Sequence, residues 1–397
     1  MHVIESGNVA AATGVRLART QVIAAYPITP QTPLTEKLSE FVNKGEMNAQ
    51  YIPVESEHSA LAVCIAASST GSRTFTATSA NGLLYMSEQV HWAAGARLPI
   101  VMCVVNRGVG APWTVWNDHQ DAISQRDAGW IQMHASDHQQ ILDSVLKAFY
   151  VAEKVKIPVM VCYDGYLLSH SYMPFEIPSV ESVDQFLPAL ICDDKLDPAR
   201  PFNMNTVTLP DIRPDIHGKM APGYMEIRHN LHQDLVRSLG VVEEAEARFQ
   251  SIFHRGGSPF IETYLCDDAE VVAVCMGSLA YQLRDVVDQL RLEGEKVGVA
   301  GIRLYRPFPN QAVIELLSGK KGLVVFEKGL SYGNHGPLFT DIRSALYEAA
   351  SRPFIHNTIL GIGGREIKTA DLLATVRKSI RAARKGETLT EWIGLKL

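Results

Sequence analysis

The sequence has 397 residues, enough for two or three domains at about 100–200 residues each. Its 46% hydrophobic and 20% charged content excludes a disordered chain and permits a large core. With 37 basic and 43 acidic residues the formal net charge is −6, which excludes bulk attraction to nucleic acid or anionic membrane. An anionic substrate would therefore have to be held by a local cation.

The first third alternates helix-like and strand-like segments. Residues 7–19 read as a helix and 21–28 as a strand. Leu34, Leu38 and Phe41, spaced four and three apart, predict a helix over 32–42. A strand at 49–54 precedes a helix at 56–68, and a strand at 73–79 precedes a helix at 82–95. The strand at 99–106 is apolar throughout, as expected when both faces are covered. Strands at 130–136 and 158–165 flank a helix at 139–154. This alternation predicts an α/β fold, a parallel sheet with helices on both faces.

Residues 166–224 contain eight of the twenty prolines and little periodicity. They predict an irregular excursion that wraps a partner, because so long a structureless loop is uncommon inside one compact domain. A helix is expected over 226–254, and the break Gly256–Gly257–Ser258–Pro259 predicts a domain boundary. The α/β pattern then restarts: strands at 270–278, 297–305 and 322–328, a glycine-rich loop at 329–337, and the segment 355–364 before the last helix. Helices are expected at 279–293, 310–318, 338–350 and 368–385. The expected division is thus 1–255, 256–375 and a tail at 376–397.

No apolar run approaches the roughly 18 residues of a membrane span. The opening residues lack the charged and apolar regions of a secretory leader, so a cytoplasmic protein is expected. Cys64, Cys103, Cys162, Cys192, Cys266 and Cys275 show no C-x2-C spacing, which predicts reduced, mostly buried thiols and no zinc or iron–sulfur site in this chain.

Ligands of open parallel sheets bind beyond the carboxyl ends of the strands. Thr29 follows the strand at 21–28, Glu57 the one at 49–54, Asn81 the one at 73–79 and Arg107 the one at 99–106. Glu57 is either a helix-start acid favoured by the helix dipole or a desolvated acid–base group. Arg107 is either an exposed strand-end arginine or a fork for a substrate carboxylate, with Gly108 and Gly110 freeing the backbone after it. Asn117–Asp118–His119 reads more readily as an ordinary polar loop, and Trp113 and Trp116 as packing. No G-x-S-x-G, H-E-x-x-H or P-loop is present.

The segments Tyr26–Pro27–Ile28–Thr29–Pro30, Glu55–Ser56–Glu57–His58, Thr74–Ser79 and Asn106–Arg107 with Trp116–Asn117–Asp118–His119 resemble the α subunit of pyruvate:ferredoxin oxidoreductase and related 2-oxoacid:acceptor oxidoreductases. Met276–Gly277–Ser278 through Arg303–Pro309 resembles the second domain of that subunit. The resemblance implies a pyrimidine-type thiamine-diphosphate domain followed by a transketolase C-terminal-like domain. It implies that thiamine diphosphate is shared with a β subunit that also holds Mg²⁺. A γ subunit and a ferredoxin-like subunit with [4Fe-4S] clusters would complete the complex, coenzyme A would capture the acyl group and ferredoxin would accept electrons.

Glu57 then matches the glutamate that hydrogen-bonds the pyrimidine N1′, with Pro27, Ile28 and Asn81 beside the cofactor. Arg107 matches the partner of the substrate carboxylate, and Thr29 a hydrogen-bonding residue next to it. The loop 108–116, with Gly110 and Trp113, would wall the substrate side chain. Pyruvate is the default substrate. A bulky Trp113 raises an aromatic 2-oxoacid such as phenylglyoxylate as an alternative, and a non-oxidative enzyme of the transketolase or decarboxylase kind is another.

Overall fold

The computed structural model describes residues 1–191 and 223–396. The chain opens with β1 (His2–Ser6), α1 (Gly7–Leu17), β2 (Val22–Ala25), α2 (Thr32–Asn43), β3 (Gln50–Pro53) and α3 (Glu57–Ser69). It continues through β4 (Thr74–Thr78), α4 (Ala80–Tyr85), α5 (Ser87–Gly95), β5 (Val101–Asn106) and α6 (Gln120–Ser124). Then come β6 (Ile131–His134), α7 (His138–Val155) and β7 (Val159–Asp164). β5 and β7 are buried at every position, as their apolar runs Val101–Val105 and Val159–Cys162 require of strands sandwiched between helices. The ends of the helices are written locally. Ser56 caps α3 by accepting from Ser59 N, and Asp137 caps α7 by accepting from Gln140 N.

The stretch expected to be irregular holds two further elements, β8 (Tyr172–Glu176) and α8 (Val180–Phe186). β8 pairs antiparallel with β1 in a two-stranded ribbon, His2 opposite Glu176. α8 starts at Ser179, whose side chain accepts from Ser182 N, and buries Val183 and Phe186. The excursion is therefore partly regular; Pro174 and Pro178 hide it from a periodicity reading, because proline is disfavoured in most strands. The rest of the expected excursion, and Cys192, lie outside the described residues.

α9 (Tyr224–Phe253) leads to β9 (Ile261–Tyr264), β10 (Val271–Met276), α10 (Leu279–Leu292), β11 (Val297–Ile302) and β12 (Leu304–Arg306). α11 (Asn310–Leu317), β13 (Gly322–Glu327), α12 (Pro337–Leu346), β14 (Phe354–Ile359), α13 (Thr369–Lys385) and β15 (Thr390–Trp392) complete the chain. Two large sheets result. The first has the order β12-β6-β7-β5-β4-β2-β3 and is parallel except for β12, which runs against β6. The second has the order β15-β14-β13-β10-β11-β9 and is parallel except for β9.

Two expectations are corrected here. The single strand expected at 297–305 breaks at Arg303, whose carbonyl accepts from His134 N, so β11 stays in the second sheet while β12 crosses to the first. The tail expected from residue 376 is instead the second half of α13 plus β15. Val376, Ile380, Ala382 and Ala383 are buried there, while Arg377 and Arg384 pair with Glu293 and Glu295. The basic residues are the solvent-facing side of this amphipathic helix, opposite its buried apolar stripe. Among the described residues no helix is long and apolar enough to cross a membrane.

Candidate active site at the carboxyl edge of the first sheet

Glu57 is the first residue of α3, where the helix N-terminus favours a carboxylate. Its side chain is buried, with 7% relative exposure. Gly82, in α4, makes that placement possible. A Cβ on Gly82 would lie 2.6 Å from Glu57 Oε1 and 2.6 Å from Thr78 Oγ1, so only glycine lets α4 close over the carboxylate. Among the described residues no protein group donates a hydrogen bond to the Glu57 carboxylate, which leaves it an open acceptor on a buried residue. Asn81, next to Gly82, carries the contact onward: its Oδ1 accepts from Gly110 N at 3.0 Å.

Arg107 leaves the end of β5 and turns inward rather than into solvent, with 5% exposure. Its Nη1 donates to Thr29 O at 2.6 Å and its Nε to Thr114 O at 2.9 Å. Both partners are neutral carbonyls. Burial lowers the arginine's pKa from its ordinary value, with Asp121 the nearest compensating charge. A cation desolvated against dipoles is a strong attractor for a carboxylate. Thr29 and Pro27 are exposed and Ile28 is half-buried on the same rim. The structure thus bonds Asn81 to Gly110 and Arg107 to Thr29, and sets Gly82, next to Asn81, over Glu57. Trp113 stands apart from them: the side chain is 74% exposed and forms no wall within this chain.

Two buried carboxylates carry roles that sequence reasoning passed over. Asp121 has 0% exposure and accepts from Ala80 N, Arg107 N, Asn106 Nδ2 and Ala122 N at 2.7–3.0 Å. It fixes both the backbone of Arg107 and Ala80, which sits at φ +44 just before Asn81. Burial pushes its pKa up to about 6. The signal was its place in the polar run after Arg107, which ordinary loops share.

Asp164, at the end of β7, is the second. His119 Nε2 lies 2.7 Å from its Oδ1, and Lys328 Nζ and Ser278 N lie 2.7 and 3.1 Å from its Oδ2; Ser278 Oγ also donates to it. Burial opposes its charge, yet Lys328 and His119 hold the carboxyl well below the usual range. Ser278 follows β10 and Lys328 follows β13, the two strands between which the order of the second sheet reverses. Such a reversal is where α/β sheets bind ligands, and here a carboxylate from the first sheet occupies it. A cavity of about 500 Å³ beside it is lined by Ser278, Lys328, Trp116 and Ile367.

Comparison with known proteins agrees with this geometry. Residues 13–233 match the family "Pyruvate flavodoxin/ferredoxin oxidoreductase, thiamine diP-bdg", and residues 269–372 match "Pyruvate:ferredoxin oxidoreductase core domain II". The chain is 44% identical to ketoisovalerate oxidoreductase subunit VorA of Pyrococcus abyssi, over 99% of this chain and 98% of that one. It is 43% identical to pyruvate synthase subunit PorA of Methanocaldococcus jannaschii, over 98% and 97%. The fold is similar to that of 2-oxoglutarate:ferredoxin oxidoreductase from Magnetococcus marinus, with a TM-score of 0.69, 20% identity, and 96% of this chain and 65% of that one covered. A split-gene transketolase shares the fold at TM-score 0.54 and 14% identity, covering 95% of this chain and 98% of that one. These full-length matches place the chain in the thiamine-diphosphate-binding 2-oxoacid:ferredoxin oxidoreductase family, among its VorA/PorA-type α subunits.

Proposed function

We propose that this chain supplies the aminopyrimidine half of the thiamine-diphosphate site and the carboxylate anchor for the 2-oxoacid. The observation that carries the reading is Glu57, a buried carboxylate that Gly82 allows α4 to cover and that no described protein group satisfies. Those residues fit a heteroaromatic nitrogen needing an acidic partner in a dry cleft. When bound, thiamine diphosphate supplies the nucleophilic carbon and the electron sink for decarboxylation. Glu57 holds or shares a proton at the ring nitrogen. Arg107 pairs with the substrate carboxylate, its guanidinium already oriented by Thr29 O and Thr114 O. Thr29 and Gly110 border the substrate, Pro27, Ile28 and Asn81 lie beside the cofactor, and the Asn81–Gly110 bond keeps the following loop against α4.

An aliphatic 2-oxoacid is the substrate class we favour, because relatives of nearly equal identity are named for ketoisovalerate and pyruvate. Trp113, exposed in this chain, gives the aromatic alternative no support. Mg²⁺ and the cofactor's phosphates are assigned to a β subunit, and the [4Fe-4S] clusters to a ferredoxin-like subunit, with a γ subunit completing the assembly in the cytoplasm. Support for this division comes from the thiols of this chain: Cys64, Cys103, Cys162, Cys266 and Cys275 are all buried and free, and burial pushes the Cys64 thiol up to about 12. We also propose that the chain divides near residue 255 into two units, the second of which runs on past 375 through α13 and β15 and lends β12 to the sheet of the first.

Glu57→Gln tests the reading. In the assembled enzyme it is expected to cut 2-oxoacid-dependent viologen reduction by at least about 100-fold while leaving subunit assembly intact. Wild-type turnover in that variant would remove the assignment.

A further inference from the structure

The loop that leaves Arg107 buries few of its large apolar side chains. Trp113, Val115 and Trp116 are 74%, 40% and 51% exposed. Besides the Gly110–Asn81 bond, a Gly108 N to Trp116 O bond at 3.1 Å and the Trp116–Tyr166 ring contact, hydrogen bonds to the carboxyl edge of the second sheet hold it. After β14 the chain turns through Gly361, Gly363 and Gly364, at φ +65, +60 and +77. Gly364 N donates to Asn117 O at 2.8 Å, and Gly363 N to Asp118 Oδ2 at 3.2 Å. Thr114 Oγ1 donates to Gly363 O at 3.4 Å and accepts from Trp116 N at 3.2 Å. Thr114 is the same residue whose carbonyl accepts from Arg107 Nε.

We propose that the Gly363–Gly364 turn and Asp118 are positioning elements for Arg107, so that the second domain sets the affinity for the 2-oxoacid by holding the substrate loop. The proposal rests on the reading of Arg107 as the carboxylate anchor. Its physical basis is the fit between two backbones. A Cβ on Gly364 would lie 2.3 Å from Trp116 Cβ, closer than any real contact, at a φ that side chains avoid. On the loop's other side, a Cβ on Gly108 would lie 2.5 Å from Thr114 Cγ2 and 3.0 Å from Asp118 Oδ2. Asp118 closes the arrangement: its Oδ1 accepts from Gln120 N at 3.0 Å while Oδ2 takes Gly363 N. Thr114 therefore sits between the glycine turn and the guanidinium, and displacement of the turn moves the carbonyl that orients Arg107. Preorganisation of this kind acts on substrate capture more than on later steps.

The test uses Gly364→Ala and Asp118→Asn in the assembled enzyme, each alone and combined with Arg107→Ala. Asp118→Asn keeps size and loses one acceptor, so it carries the test if Gly364→Ala does not fold. Each single variant is expected to raise KM for the 2-oxoacid about tenfold, to change kcat less than about threefold and to leave thiamine diphosphate retention unchanged. In the Arg107→Ala background neither is expected to raise KM further, because coupled residues are not additive. Wild-type KM in both single variants, or a full further increase in the combined ones, would overturn the positioning role while leaving Arg107 as anchor. A wild-type KM in Arg107→Ala alone would instead overturn the anchor reading beneath it.

Discussion

Asp121 shows how one buried side chain disciplines several others. Its two oxygens take four N–H donors, so replacement by asparagine leaves two of them facing an amide nitrogen, at about 1–3 kcal/mol each. Its raised pKa has a definite sign. An acid pushed from 3.8 to about 6 by burial contributes stability that is complete below the lower value and is lost as pH climbs through the upper one. That loss amounts to about 3 kcal/mol. Asp121→Asn is expected to be less stable than wild type at pH 4, with the gap narrowing by pH 6.5, as read from denaturant midpoints. A gap independent of pH would show that the carboxyl does not titrate there. None of this was legible in the sequence. Glu57 and Arg107 could be placed because strand ends are predictable, whereas Asp121 matters through partners on three separate segments.

At the scale of elements, the apolar run at 99–106 announced β5 and the spacing of Leu34, Leu38 and Phe41 announced α2, and β7, β10, β13, α7 and α10 also stand where the sequence pattern placed them. Strands of three or four residues escaped when their pairing, not their composition, makes them strands. β9 and β15 are such cases, each an edge strand with exposed positions. Helix-to-helix joints were equally silent. α7 and α9 are pinned by a buried pair, Lys147 Nζ to Glu246 Oε2 at 2.5 Å, whose members lie 99 residues apart. Burial lowers the Lys147 pKa, and against the opposing effect of burial Lys147 holds Glu246 below its usual value. Lys147→Met is expected to cost about 3–5 kcal/mol because it strands a buried carboxylate, and adding Glu246→Leu should recover most of that. Thermal midpoints of the two variants decide the matter; equal losses in both would mean that packing, not charge, dominates the joint.

Over the whole molecule, the two sheets are fastened by the Asp164 cluster, whose Asp164–Lys328 link spans 164 residues. A depressed carboxyl contributes stability that is present above its unfolded value and lost as pH falls through its native one. Asp164 is held well below 3.8, so the seam is expected to survive mild acid and to open only in strong acid. Asp164→Asn leaves Lys328 buried without a counter-charge. It should expose the amides of His119 and Ser278 to hydrogen exchange at neutral pH while the cores of both sheets stay protected. Protection at those amides equal to wild type would mean that other contacts close the seam.

The crossing of β12 limits how this protein can be cut apart. Its three residues belong by sequence to the back half, yet they hydrogen-bond along β6 and finish the border of the front sheet. A front half expressed alone to residue 255 would bare Ile131–His134, a four-residue strand buried at every position, as a template for any passing strand. Such a fragment is expected to self-associate in size-exclusion chromatography, and a synthetic peptide of residues 303–308 should reverse it. Modularity in this chain is therefore one-way: its second half has lent a piece that the first cannot spare.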